Sequence, residues 1–119
     1  MIIECFKENM MKINEYQKKA MSFLNPNLNE KDILINGVMG LCGESGEVID
    51  IVKKHLAQGH ELNKNKIIEE LGDVLWYVAE IAYVLNVDLE DVFEENINKL
   101  SKRYSNGFSV NESINRNRE

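Results

Sequence analysis

One proline, Pro26, punctuates a chain whose apolar residues otherwise recur every three or four positions, and no run of alternating β-branched residues competes with that pattern. Such spacing is the signature of one face of an α-helix, not of a strand, so the fold class expected is all-α. The spacing predicts a first helix from about Asn9 to Phe23, with Ile13, Tyr16, Gln17, Ala20 and Leu24 inward. Asn25-Pro26-Asn27 ends it, because proline disfavours helical backbone in the residue before it. Asn29 then supplies an N-cap, with Glu30 and Asp32 in the first turn where the helix dipole favours anions. A second helix is expected from about Glu30 to Gln58, stopped by Gly59. A third runs from about Lys66 to Leu85, capped by Asn63 or Asn65. A fourth follows Asp88, with Asp91 in a capping-box-like position, and reaches about Tyr104 with Val92, Phe93, Ile97 and Leu100 inward. Ser105 to Glu119 lacks periodicity and reads as an extended or partly disordered tail. The 119 residues therefore divide into one helical domain, 1–104, and a tail, 105–119.

Two acidic phrases stand out on these helices. Gly43-Glu44-Ser45-Gly46-Glu47 contains an E-x-x-E, and Glu69-Glu70-Leu71-Gly72-Asp73 contains an E-x-x-D; residues 48–69, 22 in all, separate Glu47 from Glu70. Helical residues three apart lie on one face, about 60° from each other. Glu44 thus projects with Glu47, and Glu70 with Asp73. Two such helices side by side bring four carboxylates together, the ligand set of a hard cation such as Mg²⁺. A solvated face usually intersperses charge signs to gain i,i+4 pairs. Here Glu69, Asp73 and Glu80 have no basic residue four positions away, and Glu44, Glu47 and Asp50 repeat the same sign at steps of three. A bound cation relieves that repulsion. By helical angle, Ile67, Leu71, Val74, Leu75, Val78 and Ala82 form the core side of the third helix, with Glu69, Glu70, Asp73, Trp76 and Glu80 opposite. On the second helix Val38, Leu41, Val48 and Val52 oppose Glu44, Glu47, Asp50 and Lys54. Gly37, Gly40, Gly43 and Gly46 interrupt that helix at a cost of about 1 kcal/mol each relative to alanine. They predict an irregular helix start, or close approach by a neighbouring helix or a ligand.

The remaining sequence excludes most other chemistries. A formal net charge of −6 argues against non-specific nucleic-acid binding. No apolar run is long enough for a transmembrane helix, and Glu4, Lys7 and Glu8 break any signal-peptide pattern near the start. Cys5 and Cys42 have no motif spacing; Cys42 reads as a small buried hydrophobe, and the compartment as reducing and cytoplasmic. Neither His55 nor His60 has a glutamate three residues earlier, as a di-iron bundle requires; both read as surface residues. There is no phosphate-binding G-x-x-x-x-G-K-[ST] loop and no G-x-S-x-G elbow.

Gly40-Leu41-Cys42-Gly43-Glu44-Ser45-Gly46-Glu47-Val48-Ile49-Asp50, followed by Ile67-Ile68-Glu69-Glu70-Leu71-Gly72-Asp73-Val74-Leu75-Trp76-Tyr77, resembles the MazG-like nucleotide pyrophosphohydrolases. Tyr16-Gln17, Asn96-Ile97-Asn98-Lys99-Leu100, Lys102-Arg103-Tyr104 and Gly107-Phe108 extend the likeness from about Tyr16 to Phe108. The wider group includes dimeric dUTPases and phosphoribosyl-ATP pyrophosphohydrolases. The resemblance implies a four-to-five-helix antiparallel bundle assembled as a homodimer or homotetramer. It implies Mg²⁺-dependent hydrolysis of a nucleoside triphosphate, NTP or dNTP, to the monophosphate and pyrophosphate, with Mn²⁺ as the alternative ion. Glu44, Glu47, Glu70 and Asp73 match the metal-binding carboxylates, and Glu44 and Glu47 are the candidates for water activation. Lys54, Tyr77 and Asn96 are the candidate substrate contacts.

A reading from a different class stands beside this one: a non-catalytic helical interaction protein, or a regulatory nucleotide binder. Assembly is also expected from the apolar residues that one small core leaves over. Ile33 and Ile51 fall near the acidic side of the second helix, Val84 does so on the third, and Met10, Met11, Met21, Phe23 and Leu24 add surface on the first. In an assembly, Lys102, Arg103, Arg116 or Arg118 could reach a neighbour's phosphates, although these charges read first as a solvated tail.

Overall fold

A computed structural model of the chain describes residues 10–116 as five helices with no strand: α1 (Ile13–Met21), α2 (Glu30–Ala57), α3 (Lys64–Val84), α4 (Leu89–Arg103) and α5 (Val110–Ile114). The starts follow from the caps. Asn29 accepts from the Asp32 N–H at 2.9 Å and opens α2; Asn63 accepts from the Lys66 N–H at 3.1 Å and opens α3. Glu15 reaches back to the Lys12 N–H at the head of α1. Asp88 opens α4 by its extended backbone, without a side-chain cap bond, so the capping-box expectation there is not met. Gly59 (φ 71°) carries the chain out of α2, and Asn86 (φ 62°) turns it between α3 and α4, a conformation that asparagine tolerates. Within the described residues, α1 starts at Ile13; the Asn9 start expected from sequence lies outside them.

The long α2 and α3 form an antiparallel hairpin, and their contacts run as a ladder. Glu44, in the middle of α2, meets Glu70 and Asp73 in the first half of α3. One turn along, the ring of Tyr77 lies against the backbone of Gly40; one turn further, Glu80 and Ile81 face Gly37. A Cβ at Gly40 would fall on the tyrosine ring, and one at Gly37 would stand 2.8 Å from Ile81 Cγ1. Two of the four glycines thus serve the close approach anticipated for them. Gly43 and Gly46 have open space around the position of a Cβ and play no such part.

α1 and α4 pack against α3 and against each other. Trp76 Nε1 donates to the Ala20 carbonyl at 3.0 Å and fixes α1 on α3. Gln17 is buried and bridges to the α3–α4 turn: its Nε2 donates to the Val87 carbonyl (3.1 Å) and its Oε1 accepts from the Leu89 N–H (2.8 Å). Gln17 and Ala20, both expected inward, are buried. The centre of the fold is small. Only Ala20, Ala79, Ala82 and Leu89 are buried apolar residues among those described.

Several expected core positions are on the surface instead. Leu71 and Leu75 are nearly half exposed, and so is Val38; Val92, Phe93 and Ile97 of α4 are exposed too. Cys42 is exposed rather than buried. On α2 and α3 the reason is the ladder, which uses the side of each helix that carries the carboxylates and leaves Val38, Leu71 and Leu75 outward. One chain therefore does not close the bundle. The tail is also more ordered than expected. Ser109 Oγ accepts from the Glu112 N–H at 3.2 Å, and this cap starts the short helix α5.

Candidate metal centre

The ladder places three of the four matched carboxylates together. Glu44, Glu70 and Asp73 each offer a carboxylate oxygen, and these oxygens all lie within 4.8 Å of one another. Glu44 comes from the middle of α2, and Glu70 and Asp73 from successive turns of α3. Glu44 and Glu70 are half-buried and Asp73 is exposed, so the centre is fixed by helices and open on one side. A hydrogen bond with Glu44 raises the Glu70 carboxyl above its ordinary range, burial adds to this, and the charges of Glu44 and Asp73 push the same way. The donor set is all oxygen, the kind that a hard divalent cation takes.

Glu47 stands one turn from Glu44 and outside the group of three. It lines a neighbouring cleft of about 590 Å³, together with Asp50, Lys54, Lys66, Glu69 and Glu70. Lys54 is present there but not free. Its Nζ lies 2.7 Å from Asp50 Oδ2, and Lys53 approaches the other oxygen at 3.4 Å. The hydrogen bond with Lys54 lowers Asp50, and the same bond raises Lys54. Lys66, which sequence reading did not single out, shares this cleft; its signal was its place four residues before Glu70 on α3.

Two tyrosines flank the carboxylates. Burial raises the Tyr77 phenol, and the charges of Glu44, Glu80 and Asp73 add to it. Burial and then Asp73 raise Tyr16, a residue anticipated in the inner stripe of α1 and at the start of the family likeness, with no role at the site. Trp76, expected on the acidic side, instead packs edge-on to Tyr77 and bonds to α1. Asn96 is exposed on α4, a helix that packs against α1 and α3, and it is not among the residues gathered here. Lys99, Lys102, Arg103 and Arg116 surround a separate basic hollow of about 370 Å³ between α4 and α5; Arg118 lies outside the described residues. His55 and His60 are exposed, as expected, with His55 Nδ1 2.8 Å from the His60 carbonyl.

Sequence comparison places this centre in a known setting. The family model of the MazG nucleotide pyrophosphohydrolase domain matches residues 36–108, which include Glu44, Glu47, Lys54, Glu70, Asp73, Tyr77 and Asn96. The "Gene 37 protein" of Mycobacterium phage L5 is 44% identical over 73 residues, 58% of this chain and 64% of that protein. The "Uncharacterized protein YvdC" of Bacillus subtilis (strain 168) is 44% identical over 41 residues, 34% of this chain and 39% of that protein. The chain thus spans less than two thirds of the length of each of these relatives. No solved structure matches it.

Proposed function

The chain belongs to the MazG nucleotide pyrophosphohydrolase domain family, and on that premise we propose that it hydrolyses a nucleoside triphosphate, NTP or dNTP, to the monophosphate and pyrophosphate with Mg²⁺ or Mn²⁺. The observation that carries the reading is the meeting of Glu44, Glu70 and Asp73 from two helices within 4.8 Å. Phosphoryl transfer needs positioning and charge neutralisation more than covalent participation by the protein. When bound, the divalent ion supplies both, screening the phosphates and making a bound water more acidic.

In this reading Glu44, Glu70 and Asp73 hold the ion, and Glu47 joins from the adjoining cleft. The oxygen of a water attacks the α-phosphorus while the bond to the α–β bridging oxygen breaks and pyrophosphate departs. Glu44 or Glu47 takes the proton that this water gives up. Lys54 and Tyr77 contact phosphate and nucleoside, with Asn96 contributed across an interface between copies. Residues 1–104 act as one domain, and the protein works in the cytoplasm alongside its substrates. Among the described residues no helix is long and apolar enough to cross a membrane.

A homo-oligomer completes the reading. The chain exposes 9871 Å², about half again the roughly 6,600 Å² of a compact monomer of this mass. A second copy against the outward apolar sides of α2 and α3 would cover much of that excess.

Pyrophosphate release from a panel of NTPs and dNTPs with Mg²⁺ tests the function. Asp73→Asn is expected to lower turnover by at least about a hundredfold while leaving the helical circular dichroism unchanged. If the wild type binds nucleotides but releases no pyrophosphate from any of them, the protein is a regulatory binder instead.

A further inference from the structure

Glu80 is the one charged side chain with no exposure at all among the described residues. It has no ion-pair partner there; the ion pairs formed are those of Asp50 with Lys53 and Lys54. Its two oxygens are held by a single neutral group, the side-chain amide of Asn36, with Nδ2 at 2.9 and 3.2 Å. Burying a carboxylate on one neutral donor is costly, and packing alone would be served by an apolar side chain. What the arrangement does achieve is orientation. The amide nitrogen is the atom that faces the carboxylate, one donor group set between two acceptor oxygens. The carbonyl oxygen of Asn36 is thereby turned away from Glu80, and Asn36 itself is exposed on α2.

Its place on the helix gives that oxygen a use. Asn36, Gly40 and Glu44 recur every four residues along the side of α2 that meets α3, with the Tyr77 ring on Gly40 between the other two. Eight residues of helix put Asn36 about 12 Å from Glu44, comparable with the reach from the α-phosphate of a nucleotide to the edge of its base. We propose that Asn36 is a specificity-determining residue, positioned by Glu80, whose carbonyl oxygen accepts a hydrogen bond from the amino group of a cytosine or adenine base. The inference rests on the pyrophosphohydrolase reading above and adds a substrate class to it. A uracil or guanine presents a carbonyl oxygen at the corresponding edge, which meets a fixed acceptor with repulsion in place of a bond.

CTP and UTP differ at that edge and almost nowhere else, so kcat/KM for the pair is the measurement. The expected wild-type preference for CTP is about tenfold, the scale of one oriented hydrogen bond. Asn36→Ala should bring the CTP-to-UTP ratio close to one. Glu80→Gln, which frees the amide to turn over, should do the same. A merely structural role for Glu80 would lower both rates together and leave the ratio alone. A wild-type ratio near one, or a tenfold ratio retained in Asn36→Ala, overturns the inference while the released pyrophosphate leaves the functional reading standing. If no nucleotide is hydrolysed, that reading falls, and calorimetry with the α,β-imido analogues of CTP and UTP decides the inference on binding alone. There a tenfold preference lost in Asn36→Ala supports it, and equal affinities overturn it. Should Glu80→Gln fail to fold, the exposed Asn36→Ala variant carries the decision.

Discussion

Gly40 and Gly43 are three residues apart on one helix, and the same substitution has opposite consequences at the two. At Gly40 an added methyl group collides with the Tyr77 ring. Gly40→Ala should destabilise the fold by about 1–3 kcal/mol through overpacking and lower kcat/KM by displacing a residue that flanks the carboxylates. At Gly43 the space is open, so Gly43→Ala gains helix propensity of up to about 1 kcal/mol unless a second copy covers the site. Thermal melts of the two variants check the contrast. Much at this scale was legible in the sequence. Steps of three along a helix were enough to pair Glu70 with Asp73 and to bring Glu44 toward them. They were not enough to settle Lys54, because its partner Asp50 lies on the same face and claims the ammonium group. Asn36 was invisible, since nothing in its neighbours announces the buried carboxylate 44 residues away that holds it.

Helix boundaries follow from local chemistry and were mostly readable; helix faces do not, and were not. Asn29 and Asn63 cap the helices that their sequence positions anticipate. Periodicity also divides α3 correctly into an acidic and an apolar side. It says nothing about which side meets a neighbour; the acidic side, expected opposite the core and facing a partner helix across a cation, is the one laid against α2. Glu80 belongs to that acidic side and is wholly buried. The docking of α1 is similarly non-local, since Gln17 ties two backbone groups some seventy residues further along. Gln17→Ala orphans the Val87 carbonyl and the Leu89 N–H together, and should cost about 2–3 kcal/mol of stability. Gln17→Glu keeps one acceptor and loses the donor, so it should fall between. Urea unfolding monitored by the fluorescence of Trp76, which hangs on the same helix pair, measures both.

The whole molecule carries more apolar surface than one copy can hide. Ile35, Val38, Met39 and Ile49 on α2 are exposed, as are Ile68, Leu71 and Leu75 on α3. Sedimentation equilibrium at micromolar concentration should give a multiple of the 13.7 kDa chain mass. Leu71→Glu should shift it toward the monomer, since a charge on that face has to be desolvated on assembly. A single monomeric species for the wild type would reject the assembly. On the proposed reading, in which Mg²⁺ binds the folded centre alone, Mg²⁺ at about a hundred times its dissociation constant should stabilise the fold by about 2.7 kcal/mol; Asp73→Asn should abolish most of that gain. The carboxylate ladder has one more consequence, and it concerns time. Glu44 and Asp73 belong to a single helical hairpin joined by a short loop. Closing so short a loop loses little chain entropy, and contacts near in sequence form fast. The carboxylate cluster should therefore assemble early in refolding, ahead of the docking of α1 and of any subunit encounter, and if it is the proposed metal centre Mg²⁺ should accelerate the first resolvable phase in a stopped-flow experiment, whatever the protein concentration.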